Sequence, residues 1–203
     1  MAIPTLDVIP PGAARPGEDV QRTRAFPTFL HPRVTRSGQL GFGAKRGRFG
    51  HWGVDMPVVS VADGGTGVGE VSAPEGMVIR HVWTNDSTPP FVGYGPAGVV
   101  GEGDSGVYHL LAHLDPSAWS ASSIPTKGQR YDVGELVGLM SESVKPPHLH
   151  WEVRVFPVDD PKKRAATSLD PWEWRFGKRR ILGGAGASWW LWVILGLALA
   201  RRR

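Results

Sequence analysis

Glycine and proline interrupt this chain so often that nothing between Gly38 and Trp174 sustains a helical period beyond two turns. The 203 residues include 27 Gly and 18 Pro. Glycine frees the backbone at turns and proline removes a donor while fixing φ, so both break long helices. Between the breaks stand short alternating runs: Gly76-Met-Val-Ile-Arg-His-Val-Trp83, Gly106-Val-Tyr-His-Leu-Leu-Ala-His-Leu114 and His148-Leu-His-Trp-Glu-Val-Arg-Val155. They read as strands, and clusters such as Pro89-Pro90, Gly93-Tyr-Gly-Pro-Ala-Gly98 and Pro146-Pro147 read as the turns between them. The expectation is a mainly β domain over residues 38–174, a compact antiparallel sheet or sandwich-like body, with no internal repeat. A hydrophobic content of 41% with 9 Trp supports a real core and excludes wholesale disorder.

The two ends differ from the body. Residues 1–37 are rich in Pro and Arg and are expected to form an extended arm, or alternatively to cover the sheet. No basic start followed by an apolar run marks a secretory leader there. Residues 175–203 hold seven Lys or Arg and no acid, leaving 16 basic against 19 acidic side chains in residues 1–174. The formal charge of +4 is therefore a property of the tail, and no nucleic-acid-binding body is expected. From Ile181 to Ala200 there is no charge at all. As a helix this stretch would span ~30 Å, the thickness of a bilayer core. Lys178-Arg179-Arg180 and Arg201-Arg202-Arg203 flank it, so a C-terminal transmembrane anchor in a lipid bilayer is expected. Equal basic flanks leave its orientation undecided.

With no Cys, the chain has no disulfide, no thiolate chemistry and no Cys-based metal site, so any metal must sit on His, Asp or Glu. Residues i and i+2 of a strand face the same way, so His148 and His150 can share one site while Leu149 packs behind them. His51 and Asp55, four apart in an extended segment, likewise return to one face. Each pair alone also fits a surface or hydrogen-bonded core histidine. Three nitrogen and oxygen ligands drawn from these groups, with a fourth position left open, are the pattern of a catalytic rather than structural zinc site. His109 lies four residues before His113 and is expected on the same strand face, about 13 Å away at ~3.3 Å per residue, and is read as structural. His31 and His81 match no pattern.

In order along the chain, these segments resemble the lysostaphin/LytM family of zinc endopeptidases, which cleave peptide cross-links in bacterial peptidoglycan. Phe42-Gly-Ala-Lys-Arg-Gly-Arg-Phe-Gly-His-Trp-Gly-Val-Asp55 is similar to the family's opening His-x-x-x-Asp segment. Val71-Ser-Ala-Pro-Glu-Gly-Met-Val78 resembles the following hairpin. Leu111-Ala-His-Leu-Asp115 resembles its Tyr-x-His-Leu strand, with Leu111 where Tyr is usual. Lys127-Gly-Gln-Arg-Tyr-Asp-Val-Gly-Glu-Leu-Val-Gly138 resembles the segment leading to the His-x-His strand, and Pro147-His-Leu-His-Trp-Glu-Val153 resembles that strand. Leu169-Asp-Pro171 fits the closing turn.

The resemblance implies a metallopeptidase fold and one Zn2+ per chain held by His51, Asp55 and His150. It also implies that His113 and His148 form the catalytic pair, one taking a proton from water and one stabilising the oxyanion, in an order the sequence leaves open. The implied substrate is a peptide of peptidoglycan. A catalytically inactive LytM-like protein that binds cell wall or regulates another hydrolase is the alternative, but it is expected to lack zinc ligands, and all five positions are filled here. The arm could also cover the groove, with Asp7, Glu18, Asp19 or His31 as a fourth ligand. The expected localisation is at a membrane, with the body on the cell-wall side. A bacteriophage lysin or virion-associated enzyme would avoid moving the body across a membrane ahead of its anchor.

The sequence departs from the family at two places. Ser141-Glu-Ser-Val-Lys-Pro-Pro147 stands where a Gly/Ser/Thr-rich turn is usual, and Asp63 to Gly69 is a Gly-rich insertion. Gly103-Asp-Ser-Gly106 superficially matches a serine-protease nucleophile segment, but Val107 stands where Pro is expected and the segment reads as a hairpin turn.

Overall fold

The computed structural model describes residues 24–28, 41–46, 49–57, 69–87, 90–120, 123–155 and 167–177. In chain order the strands are β1 (Lys45–Arg46), β2 (Phe49–Gly50), β3 (Val54–Pro57), β4 (Glu70–Ser72), β5 (Met77–Trp83) and β6 (Gly98–Gly103). They continue as β7 (Tyr108–Ala112), β8 (Arg130–Tyr131), β9 (Leu136–Leu139), β10 (His148–Arg154) and β11 (Ser168–Leu169). A short helix α1 (Pro171–Arg175) follows, started by Asp170, whose carboxylate accepts the Trp172 N–H, and by Pro171 in the first turn. The three long alternating runs of the sequence are thus β5, β7 and β10.

Seven strands form one sheet in the order β11-β10-β7-β6-β5-β8, and β3 pairs with β10 beside β11. Every pairing is antiparallel. β10 therefore has neighbours on both edges: His150 stands opposite Asp55 of β3 and opposite Ala112 of β7. β4 and β9 make a separate two-stranded sheet, and β1 and β2 a third. Gly103-Asp-Ser-Gly106 is the turn between β6 and β7, closed by the Gly106 N–H donating to the Gly103 carbonyl at 2.9 Å.

Alternation along β10 sends Leu149, Trp151 and Val153 to one face, where each is fully buried. There they meet Val99, Leu111, Val71 and Val137 together with Trp172 and Trp174 of α1. Phe26 joins this core edge-on to Trp172 at 5.0 Å and to Trp151 at 6.1 Å. Phe26, within the segment expected to be an arm, is therefore part of the core. The Ala25 N–H donates to the Pro74 carbonyl, and the Ser72 N–H to the Pro27 carbonyl. The rest of residues 1–37, including Asp7, Glu18, Asp19 and His31, lies outside the described residues, as do the 181–200 stretch and nearly all of the Gly-rich insertion. Among the described residues no helix is long and apolar enough to cross a membrane.

The other face of the sheet carries a smaller cluster of Trp83, Val100, Leu110 and Ala112, capped by Phe91 and Tyr94 from the β5–β6 connection. Trp83 and Phe91 stack at 4.3 Å. His109 is buried on the main-core side. It accepts from the Trp151 indole N–H at Nδ1 (3.3 Å), so the proton sits on Nε2, which donates to Glu75 at 2.7 Å. The hydroxyl of Ser105 donates to the same Glu75 oxygen at 2.8 Å. A carboxylate thus stands between serine and histidine, an arrangement that joins the β6–β7 turn to the core and keeps the imidazole off the hydroxyl.

Burial lowers the affinity of His109 for a second proton below the ordinary value of 6.5, outweighing the favourable hydrogen bond to Glu75. The unfolded chain then binds a proton that the folded chain resists as pH falls below 6.5, so acid favours unfolding. In His109→Gln the dependence of unfolding free energy on pH below 6.5 should flatten by up to ~1.4 kcal/mol per pH unit. Denaturant titrations at several pH values read this directly; identical slopes in both proteins would contradict it.

Candidate metal centre and the histidines around it

The register of β3 on β10 puts Asp55 beside His150, and the turn before β3 brings in His51. Gly53 permits the close approach, since a Cβ there would lie 2.5 Å from the Trp151 carbonyl oxygen and 3.0 Å from His150 Cε1. His51 Nε2 lies 3.0 Å from Asp55 Oδ1 and 3.1 Å from His150 Nδ1, and His150 Nδ1 lies 2.8 Å from Asp55 Oδ1. All three residues are buried.

The outward nitrogen of each imidazole fixes its tautomer. His51 Nδ1–H donates to the Gly41 carbonyl at 2.9 Å, and His150 Nε2–H donates to Glu152 at 2.9 Å. Each inward nitrogen faces a carboxylate oxygen, and offers its lone pair there once any proton on it is displaced. Two bare imidazole nitrogens and one carboxylate oxygen, converging with their outer nitrogens held by protein acceptors, are a donor set suited to zinc. Their separations approach the ~3.3 Å edge of a tetrahedron with bonds of ~2.0–2.1 Å. Among the described residues these three form the one cluster with its ligand atoms all within 4.8 Å. Burial alone would lower the pKa of His150, but its hydrogen bonds to Asp55 and Glu152 outweigh burial and raise it to about 9. Burial alone would raise Asp55, yet the two histidines hold it far below the carboxylate range. The pocket attracts a positive charge.

The other two histidines of the expected set gather on the same side. His148, two residues before His150, donates from Nδ1 to the Pro146 carbonyl at 2.7 Å, which leaves Nε2 as an acceptor 3.7 Å from Asp55 Oδ2. His113 does not continue the alternation of β7. Its φ is +67°, a conformation that a residue with a Cβ rarely adopts, and it turns the ring away from the core side where His109 lies. The expectation that His109 and His113 share a face fails for this reason. The His113 ring lies 4.7 Å from that of His148 and 6.0 Å from that of His150. Its Nδ1 is buried without a hydrogen-bond partner. Gly95 makes the space for it, since a Cβ there would come within 2.4 Å of that atom. Burial first, and the neighbouring His150 and His148 next, push the His113 pKa down to about 3.

Sequence reasoning did not single out Glu152, Arg154 or Tyr94. Glu152 and Arg154 extend the same period of two beyond His148 and His150, so the signal was present in His-Leu-His-Trp-Glu-Val-Arg. Glu152 and Arg154 pair closely and both are buried, and Tyr94 donates its hydroxyl to Glu152 Oε1 at 2.8 Å. Burial would raise Glu152, but Arg154 and His150 together keep it ionised, well below the usual carboxylate range.

No protein-family model matches the sequence, and no curated protein matches it. Solved structures are similar in fold. The solution structure of lysostaphin is 21% identical, with 73% of this chain and 53% of that chain covered and a TM-score of 0.45. A zinc-containing peptidase from Vibrio cholerae is 22% identical, with 64% of this chain and 36% of that chain covered and a TM-score of 0.42. The catalytic domain of the prophage-encoded M23 protein EnpA from Enterococcus faecalis, in a single-residue variant, is 18% identical. There 70% of this chain and 92% of that chain are covered, with a TM-score of 0.43. The chain thus spans about half of lysostaphin and about a third of the Vibrio cholerae protein.

Zinc bound by the folded protein should stabilise it by ~4 kcal/mol when free metal is about a thousand times the dissociation constant. Unfolding midpoints with zinc and with chelator measure this. The rise should disappear in Asp55→Asn and in His150→Ala; a rise that survives either change would contradict the ligand set.

Proposed function

We propose that the chain is a zinc endopeptidase that hydrolyses peptide bonds in bacterial peptidoglycan, with His51, Asp55 and His150 as ligands and His113 and His148 as the catalytic pair. The observation that carries this reading is the convergence of three ligand atoms, from two hydrogen-bonded strands and the turn before one of them, with two further imidazoles beside them. The choice of peptidoglycan rests on the ordered sequence motifs.

A zinc ion in this set would polarise a scissile carbonyl and lower the pKa of a water molecule toward ~7. The protein's own groups divide the remaining work. His148 Nδ1–H is committed to the Pro146 carbonyl, so its Nε2 is an acceptor and suits the general base that takes a proton from the attacking water. Burial keeps His113 neutral throughout the working pH range. A buried Nδ1–H with no acceptor would be costly, so the proton belongs on Nε2, which suits donation to the developing oxyanion. Asp55 and Glu152, both ionised, would balance a metal's charge, and Glu152 orients His150.

The uncharged stretch 181–200 would hold the domain at a bilayer, on the cell-wall side, and a bacteriophage lysis or virion enzyme suits that arrangement. These belong to the proposal and rest on the sequence.

Digestion of purified peptidoglycan, with mass analysis of the fragments, tests the activity. New amino termini should be released and a chelator should stop their release. His113→Ala and His148→Ala should each keep one zinc per chain while turnover falls by ~10²-fold or more. Loss of zinc in either variant, or turnover at the wild-type rate with zinc retained, would overturn the division of roles.

A further inference from the structure

Tyr94 touches the site at both ends without facing its centre. Its hydroxyl donates to Glu152 Oε1, the same oxygen that accepts His150 Nε2–H, at 2.8 and 2.9 Å. Arg154 Nη2 in turn donates to the Tyr94 hydroxyl at 3.2 Å, and Arg154 Nε to Glu152 Oε2 at 2.6 Å. The main-chain carbonyl of Tyr94 accepts the His113 N–H at 3.3 Å, next to Gly95, on which the His113 ring rests. The loop is held in turn by Asp86, whose Oδ1 accepts the N–H groups of Gly93 and Gly95 at 3.1 and 2.9 Å. Trp83 and Phe91 pack around the tyrosine ring, which is buried. One residue of a loop, outside the segments that resemble the family, therefore reaches the outer partner of one candidate ligand and the backbone of one candidate catalytic histidine.

We propose that Tyr94 is a positioning residue for the metal centre, acting through Glu152 on His150. An imidazole whose outer N–H is held by an oriented carboxylate is fixed in ring angle and tautomer, and its inner nitrogen is a better donor to a metal. Glu152 can hold that angle only if its own carboxylate is fixed; Tyr94 fixes it at Oε1, the oxygen shared with His150, and Arg154 at Oε2. The inference rests on the zinc reading above and deepens it.

Zinc affinity of the full chain, measured by competition with a chromophoric chelator, tests it without any turnover assay. Tyr94→Phe keeps the ring and should weaken zinc binding about 3- to 10-fold, and Glu152→Gln about 10- to 100-fold. The double variant should bind no more weakly than Glu152→Gln alone, because the hydroxyl acts only through that carboxylate. Val92→Ala, exposed on the same loop, should leave affinity unchanged. Unaltered affinity in Tyr94→Phe, or a loss of the same size in the Glu152→Gln background, overturns the proposal. Should Tyr94→Phe lose its near-ultraviolet circular dichroism, Glu152→Gln carries the test, and unchanged affinity there overturns it equally. Failure of the wild-type chain to bind zinc would instead overturn the zinc reading itself.

Discussion

His150 and Asp55 are register partners across the β3–β10 ladder, and the rest of the site is arranged around that pairing. A slip of one residue would place Val54 or Met56 beside His150 and turn the carboxylate into the core, because side chains alternate with a period of two. The register is therefore set by burial: Val54 and Met56 are core residues, as are Leu149 and Trp151 opposite them. Hydrophobic packing on one face fixes the polar geometry on the other. Aromatic side chains of this size bury ~150–250 Å² each, worth ~4–6 kcal/mol at ~25 cal/mol per Å². A slip that exposed Trp151 alone would forfeit much of a small domain's net stability.

The same strand carries a buried ion pair, Glu152 with Arg154, on its polar face. Removing one member of such a pair costs ~3–5 kcal/mol, because it leaves the other charged and unsolvated. Here the carboxylate has additional partners in His150 and Tyr94, so its lone pairs are used and its charge is directed toward the candidate ligand. Opposite strain appears at His113, whose positive φ is accommodated by hydrogen bonds on both sides of the residue: its N–H donates to Tyr94, and its carbonyl accepts from Ser141. The fold spends backbone freedom where an imidazole must leave the strand's alternation.

Much of this was legible in the sequence, and the reason is periodicity. His148, Leu149, His150 and Trp151 separate into a site face and a core face by alternation alone, and the structure places them so. Asp55 reaches the same spot through the β3–β10 register, and His51 through the turn before β3. Alternation could not foresee its own interruption at His113, since positive φ in a non-glycine residue depends on the loop it packs against. Likewise, Phe26 lies in a Pro- and Arg-rich stretch whose composition reads as linker, while its burial follows from contacts with Trp151 and Trp172 far along the chain. Tyr94 belongs to a turn by composition, and only tertiary packing shows that its hydroxyl faces Glu152.

X-ray absorption at the zinc edge of the metal-loaded chain tests the central assignment most directly. The account predicts four-coordinate zinc with two imidazole nitrogens and carboxylate or solvent oxygen at ~2.0–2.2 Å, a pattern unchanged in His113→Ala and His148→Ala. One imidazole, three or more, or a spectrum that loses an imidazole in either variant would contradict it.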